Sequence, residues 1–277
     1  MKIEKAIDFF DEELVRAGIS NSRFALRLLC REILGLDDPL IVRGSDCELS
    51  GDDWEKLRES VKRLVAGEPI DYVIGYRDSN GIRLKLDRSV LIPRPETEEL
   101  IELVLDGESR HRIFADIATG SGIIACSLAK RMPDSKVYAS DISPEALSLA
   151  WQNAIANEIG NIIFLQGDNL TPVGPYLEEI EVIVSNPPYI KTGLLGSLES
   201  NVREYEPMLA LDGGEDGIDF YRSFFSLLPE GKKVYMEIAE YAVDELSKLS
   251  ENLVGYSYKF ERDFYGLYRF MILCPAE

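Results

Sequence analysis

Ile113-Phe114-Ala115-Asp116-Ile117-Ala118-Thr119-Gly120-Ser121-Gly122-Ile123-Ile124-Ala125 decides the fold of this chain. The apolar run Ile113 to Ile117 predicts a strand, the glycines a turn, and Ile123 to Arg131 a helix. Gly120-x-Gly122-x-x-Ala125 has the glycine spacing of a nucleotide-binding βα turn: a tight turn, close backbone approach to a ligand, and close helix packing. That spacing is weak alone, and the next unit strengthens it. Val137-Tyr138-Ala139-Ser140 predicts a second strand that ends at Asp141, an acid placed to accept hydrogen bonds from ribose hydroxyls. Ser143 then reads as an N-cap, with Pro144 at the first helical position and Glu145 in the first turn.

The ligand class turns on Asp116. A carboxylate beside the loop repels the pyrophosphate of a dinucleotide, which disfavours a dehydrogenase. It suits a ligand that carries an ammonium and a sulfonium, as S-adenosylmethionine does. A third acid, Asp168, follows the strand-like Ile162 to Leu165 in Gln166-Gly167-Asp168-Asn169. It is placed to accept from an adenine amino group with Asn169 beside it; the plain alternative is a turn residue. Asp116 and Asp141 end consecutive predicted parallel strands, where ligands bind in open α/β sheets.

Downstream, Ile180-Glu181-Val182-Ile183-Val184 predicts a buried strand, and Asn186-Pro187-Pro188-Tyr189 follows it. The two prolines fix φ, and a residue before proline is pushed to extended backbone, so Asn186 has few options. The result is a rigid clamp for a small planar polar group. It has an amide carbonyl to accept N–H, a backbone without donors at Pro187 and Pro188, and a ring to stack on. A turn alone would need neither Asn nor Tyr.

Together with the Asp-x-x-Thr-Gly-Ser-Gly loop and Asn-Pro-Pro-Tyr, Leu91-Ile92-Pro93-Arg94-Pro95-Glu96-Thr97-Glu98 resembles the HemK/PrmC-type release factor glutamine methyltransferases. Val202 to Pro207, Gly213-Gly214-Glu215-Asp216-Gly217 and Asp263 to Phe270 also look like segments of that family. The resemblance covers nearly the whole chain. Asn-Pro-Pro-Tyr is shared with other amino-group methyltransferases, and the Ile-Pro-Arg-Pro-Glu-Thr segment narrows the family. The resemblance implies a Rossmann-like, class I S-adenosylmethionine-dependent methyltransferase with a small N-terminal helical domain. Its substrate would be the glutamine of the Gly-Gly-Gln motif in class-I peptide-chain release factors, and S-adenosylhomocysteine the second product. On that reading Asn186, Pro187, Pro188 and Tyr189 carry catalysis. Asp116, Ala118, Thr119, Gly120, Ser121, Gly122, Asp141, Asp168, Asn169 and Asn186 bind the cofactor. Pro93, Arg94, Pro95, Asn186 and Tyr189 meet the substrate.

Three positions depart from the family. Ala118 stands where its members usually have the first glycine of the loop, and is strained if the position needs positive φ. Asn169 replaces an aromatic found beside adenine in some relatives. Ser79-Asn80 replaces an aromatic pair in the preceding hairpin.

A net charge of −19 bears on partners. Residues 1–80 hold 12 basic and 17 acidic side chains, the remainder 18 and 32. Affinity for nucleic acid rests heavily on Lys and Arg, so an acidic catalytic half argues against DNA or RNA as the direct substrate. A local basic patch of Arg94, Arg203 and Arg222 is compatible with it. No apolar run approaches membrane-spanning length and Met1 to Phe10 is no secretory signal, so a cytoplasmic protein, acting as a monomer, is expected. The four cysteines (Cys30, Cys47, Cys126, Cys274) show neither metal nor disulfide spacing, and the single histidine, His111, reads as a surface residue.

Residues 1–68 predict helices only, a docking domain for the partner on the family reading. The stripes are Ile3, Ile7, Phe10, Leu14; Phe24, Leu28, Leu29, Ile33; and Trp54, Leu57, Val61, Leu64, Val65, with N-caps at Asn21-Ser22 and Ser50. Residues 69–87 predict a hairpin connector, Ile70 to Tyr76 pairing with Ile82 to Leu86 around Asn80-Gly81. Residues 88–277 predict a doubly wound α/β sheet with an antiparallel edge from Tyr256 to Phe260 and Tyr268 to Cys274. Lys191 to Glu206 predicts a mobile substrate loop.

An amide nitrogen is a poor nucleophile, because its lone pair is delocalised into the carbonyl. The Asn186 side-chain oxygen and the Pro187 carbonyl are expected to grip its two N–H bonds while Tyr189 packs on the amide plane. No histidine base is needed. Two alternatives remain at this stage: a DNA adenine N6-methyltransferase, which would flip its base out of the duplex, and an inactive cofactor- or release-factor-binding module, for which Ala118 speaks.

Overall fold

The computed structural model describes residues 2–36, 48–108 and 112–276, which leaves the readings at Cys47 and His111 outside the described residues. The chain divides into two compact units, Met1–Tyr76 with Glu199–Tyr205, and Arg77–Leu198 with Glu206–Glu277.

The first unit is helical: α1 (Ile3–Arg16), α2 (Ser22–Leu34), α3 (Gly51–Val65) and α4 (Ile70–Ile74), with a short helix, Ser200–Tyr205. The stripe on α1 is buried as expected, Ile3, Phe10 and Leu14 completely. Ser50 caps α3 in a full capping box with Asp53. On α2 the expected stripe is out of phase by about one residue. Ala25, Leu26, Leu29 and Cys30 face the core, and Phe24 is exposed. Two neighbouring apolar faces compete on that helix, and packing against α1 and α3 selects the one with the smaller residues. Ser22 gives its hydroxyl to Asp11 of α1, and Asn21 makes no side-chain cap.

Two further expectations fail. Ile70 to Tyr76 is not a strand. Pro69 accepts from Tyr72 and Val73 to start a helical turn, and Gly75 at φ 87° ends it. Only Tyr76–Ser79 remains as β1, paired with β2 (Ile82–Lys85). Lys191 to Glu206 is not a loop either. It holds a 3-10 segment, Thr192–Ser197, and then the helix Ser200–Tyr205, whose Tyr205 hydroxyl donates to Ala66 O at 2.7 Å. Scattered glycines hid a helix too short to show periodicity.

The second unit carries α5 (Pro95–Gly107), β3 (Ile113–Ile117), α6 (Ile123–Arg131), β4 (Lys136–Asp141), α7 (Pro144–Ala156), β5 (Ile162–Gln166), β6 (Val182–Ser185), α8 (Asp219–Leu227), β7 (Lys233–Glu237), α9 (Val243–Ser250), β8 (Tyr256–Arg262) and β9 (Tyr268–Pro275). The sheet order is β5-β4-β3-β6-β7-β9-β8. β3 pairs in parallel with β4 and β6, which puts the order reversal, and hence the crevice, beside Ile117 and Ser185. β9 runs antiparallel to β7 and β8. Helices cover the central strands on both faces, which is why β3 and β6 are buried along nearly their whole length instead of alternating.

From Arg77 on, the β1–β2 hairpin belongs to this second unit. Asn80 and Gly81 both have positive φ, 49° and 75°, as a type I′ turn requires. α7 then supplies what the edge of β2 lacks. The Asn153 amide bonds both Lys85 N (2.7 Å) and Lys85 O (3.1 Å), and Asn157 does the same for Arg83.

Candidate active site

The crevice at the strand ends is an open pocket of about 1090 Å³, solvent at its mouth included. Ten of the residues singled out in the sequence line it: Pro93, Ala118, Thr119, Gly120, Ser121, Asp141, Asp168, Asn169, Asn186 and Pro188. They come from four strand ends and the segment before α5, so the sheet topology alone brings them together.

The loop after β3 is built on Asp116. That carboxylate is fully buried, and its Oδ2 accepts from Thr119 Oγ1 (2.5 Å) and Ala125 N (3.0 Å). It therefore braces the loop from below and does not line the pocket. Its other oxygen, Oδ1, is buried without a protein partner. Burial pushes the Asp116 carboxyl up to about 7, against the pull of its two hydrogen bonds. Ala118 has φ 59°, so the position does require left-handed backbone and the methyl group is strained there. Gly122 (φ 81°), expected at the cofactor, does not line the pocket; it lies under the loop, where a Cβ would come within 3.0 Å of Ala150 Cβ, so its lack of a side chain serves packing against α7.

Asp141 ends β4 and faces the pocket. Its Oδ2 accepts from Gly120 N (2.9 Å) and its Oδ1 from Ser143 N (2.9 Å), so the acid joins the glycine loop to the start of α7. Ser143 caps that helix through Ala146 N, as expected. Asn153 reaches back from α7 to Ser121 O at 2.8 Å and completes the frame. Asn169 (φ 52°) donates to the Phe220 carbonyl at 3.3 Å, and the Phe220 ring lines the pocket beside it.

Asn186 follows β6 directly and lines the pocket with Pro188. Its Nδ2 donates to Thr97 Oγ1 at 2.8 Å, and Thr97 donates in turn to Glu237 Oε2 at 2.9 Å. Among the described residues, nothing donates to Asn186 Oδ1 or to the Pro187 carbonyl. Tyr189 does not line the pocket. Its hydroxyl donates to the other oxygen of Glu237 at 2.9 Å, and burial beside that carboxylate holds the phenol well above its usual pKa. The Gly213-Gly214 segment closes against the clamp from outside. Gly213 N donates to Ile190 O, and a Cβ on Gly213 would come within 2.7 Å of Tyr189 Cα.

The Pro93-Arg94-Pro95 segment does two separate things. Pro95 occupies the first position of α5 and sets the helix start, which places Thr97 beneath Asn186. Arg94 is bound to the buried carboxylate of Glu206 at 2.5 Å, and the same carboxylate accepts from Ile92 N. Arg94 thus secures its own segment. Arg222 is paired with Asp216 and Asp219, and Arg203 with Glu204, so each arginine of the suggested basic patch is committed to carboxylates. Thr97, Glu237 and Phe220 were missed in the sequence. Thr97 lay inside a quoted motif; an apolar strand ending in Glu was the one available sign of Glu237.

Residues 97–199 match the family described as Methyltransferase small domain, and residues 5–75 match the PrmC N-terminal domain. The chain is 37% identical over 228 residues to the release factor glutamine methyltransferase of Geobacter sulfurreducens, across 82% of this chain and 79% of that one. It is 34% identical over 284 residues to the enzyme of the same name from Thermodesulfovibrio yellowstonii, across 97% and 98%. Among solved structures, the hMettl16 catalytic domain in complex with an RNA hairpin superposes with a TM-score of 0.57 at 13% identity, over 82% of each chain, a likeness of fold. No described helix is long and apolar enough to cross a membrane.

Proposed function

The chain belongs to the release factor glutamine methyltransferase family, and we propose that it transfers a methyl group from S-adenosylmethionine to the side-chain amide nitrogen of the glutamine in the Gly-Gly-Gln motif of a class-I peptide-chain release factor. The observation that carries this reading is the orientation of Asn186. Its amide nitrogen is spent on Thr97, which leaves its carbonyl oxygen for a donor in the pocket.

The residues present fit the cofactor. Asp141 keeps a lone pair on each oxygen for ribose hydroxyls, and Asp168, on the pocket wall beside Asn169, would accept from the adenine amino group. Ala118 to Ser121 supply the closely approaching backbone. A cationic ligand above the loop favours the ionised form of the buried Asp116 carboxyl, whereas a pyrophosphate would oppose it. When bound, S-adenosylmethionine supplies an electrophilic methyl group on sulfur and leaves as S-adenosylhomocysteine.

Everything else is positioning. The Asn186 and Pro187 carbonyls accept the two N–H bonds of the substrate amide and turn its nitrogen toward the methyl group. Alignment of this kind contributes up to about 7–11 kcal/mol in favourable cases. The same two dipoles stabilise positive charge as it develops on nitrogen. As the N–CH3 bond forms and the S–CH3 bond breaks, the nitrogen returns to neutral by releasing one of its two gripped protons to solvent. Tyr189 serves from behind, holding the motif to Glu237. The two glycines that precede the substrate glutamine carry no side chains and let it enter a narrow cleft. The helical unit, residues 1–68 with the short segments that join it, is the proposed docking element for the factor, and Phe9, Val15 and Phe24 lie exposed on it.

The test is transfer of labelled methyl to purified release factor, beside a Gln→Ala version of its Gly-Gly-Gln motif and a duplex DNA control. Label on the intact factor alone is the expected result. Label on DNA would replace this reading with adenine methylation.

A further inference from the structure

Asn186 Oδ1 and Nδ2 are nearly equal in shape but opposite in hydrogen-bonding sense. A flipped Asn186 would present N–H donors to a substrate amide that itself has only donors on nitrogen, and the clamp would not close. Something has to choose the end. Nothing on Asn186 itself does so.

We infer that Glu237 and Thr97 form a relay that sets which end of the Asn186 amide faces the pocket, making both of them positioning residues for the methyl transfer proposed above. Glu237 is 1% exposed at the end of β7. As a carboxylate it has no proton to give, so the Thr97 and Tyr189 hydroxyls at 2.9 Å must both donate to it. Thr97 has one hydroxyl proton. Once that is given to Glu237, Thr97 Oγ1 offers only lone pairs toward Asn186. Only Nδ2 can meet them at 2.8 Å; Oδ1 in that place would set two acceptors against each other. The polarity of a buried carboxylate is thus passed through one hydroxyl to the pocket. The same carboxylate holds Tyr189, so one group orders both ends of Asn-Pro-Pro-Tyr.

The relay depends on the charge of Glu237, and burial brings that charge within reach of ordinary conditions. The carboxyl is pushed up to about 7. Around it stand Thr97 and Glu96 from α5, Tyr189 after β6, Tyr221 from α8, whose hydroxyl bonds the Glu237 backbone carbonyl, and Arg269 from β9. Arg269 favours the charged form and Glu96 opposes it. A proton on Oε2 would donate to Thr97, send the Thr97 proton toward Asn186, and so call for Oδ1 at that contact. The clamp would then be reversed. Transfer should fall as pH drops through about 7.

Thr97→Val keeps the shape and removes the relay, Thr97→Ser returns the hydroxyl, and Glu237→Gln removes the titration. At saturating release factor, Thr97→Val is expected to lower the rate about tenfold to hundredfold, the span of one buried bond left unmade. Affinity for S-adenosylmethionine should change far less than the rate, and Thr97→Ser should recover most of the rate. The acidic limb should vanish in Glu237→Gln. A Thr97→Val enzyme with the parent rate, or a limb that survives Glu237→Gln, would overturn the relay. A second readout needs no substrate: the ¹⁵N-resolved side-chain amide signals of Asn186. They should titrate near pH 7 in the parent, not in Glu237→Gln, and lose exchange protection in Thr97→Val. Signals flat in all three proteins would end the idea. Titrating signals in a protein that methylates no release factor would instead keep the relay and refute the substrate.

Discussion

Asn186 and Thr97, 89 residues apart in the chain, meet at 2.8 Å with the Asn186 nitrogen as donor. This one contact joins the strand-end clamp to the first turn of α5. It gives the Ile-Pro-Arg-Pro-Glu-Thr segment a role that is not substrate contact alone: Pro95 sets where the helix begins, and the helix start sets where Thr97 stands.

Asn186→Ala should remove transfer while leaving cofactor binding nearly intact. The substitution deletes one of the two acceptors for the substrate amide, a loss on the order of 10²–10³ in rate for a positioned transition-state dipole. Initial rates and calorimetric titration with S-adenosylmethionine separate the two effects. An equal loss of both would refute the clamp.

Ala118→Gly should stabilise the protein. Left-handed backbone costs a residue with a Cβ roughly 1–2 kcal/mol, partly offset by the greater freedom of glycine in the unfolded chain. The expected gain is about 1 kcal/mol in urea denaturation, with cofactor affinity equal or higher. A loss of stability would mean that the methyl group makes contacts worth more than its strain.

The stability contributed by Asp116 and Glu237 should fall as pH rises from about 4 to 7. Asp116 and Glu237 have folded-state pKa values raised to about 7 from ordinary values of 3.8 and 4.5. Across that window the folded protein binds more protons than the unfolded chain, so their contribution is greatest at low pH and is lost as the buried carboxyls ionise. Urea midpoints should show a downward slope in that window from these two groups. Asp116→Asn or Glu237→Gln should flatten it, each by its own share. An unchanged slope in both variants would place the titration elsewhere.

Gly213→Ala should impair catalysis without touching the pocket. The added Cβ would lie 2.7 Å from Tyr189 Cα and 3.0 Å from Gly217 O, both backbone atoms that cannot swing aside. The clamp should shift, and the rate at saturating substrate should drop at least about tenfold, since small misplacements of aligned groups are costly. Cofactor affinity is the control, because the glycine loop lies elsewhere. Parent kinetics would show that the Gly213 segment yields more easily than the clamp.

Much of this protein was legible in one dimension. The α/β alternation, the glycine loop, the acids at strand ends and the N-caps at Ser50 and Ser143 are local patterns. They report backbone preference within a few residues, and the structure keeps them. The doubly wound sheet follows because such strand–helix units have one favoured handedness and one crevice. Tertiary structure decided what depends on competition or on distance. Packing chose the α2 face that leaves Phe24 outside, and Pro69 and Gly75 turned an apolar run into a helical turn. Side-chain polarity is the clearest case. Asp116, Arg94 and Tyr189 point to partners inside the protein, and Glu237, without any motif around it, lies within hydrogen-bonding distance of both Thr97 and Tyr189. A hydrogen bond is made between atoms a few ångströms apart, and for residues about ninety positions apart only the closed fold sets that distance.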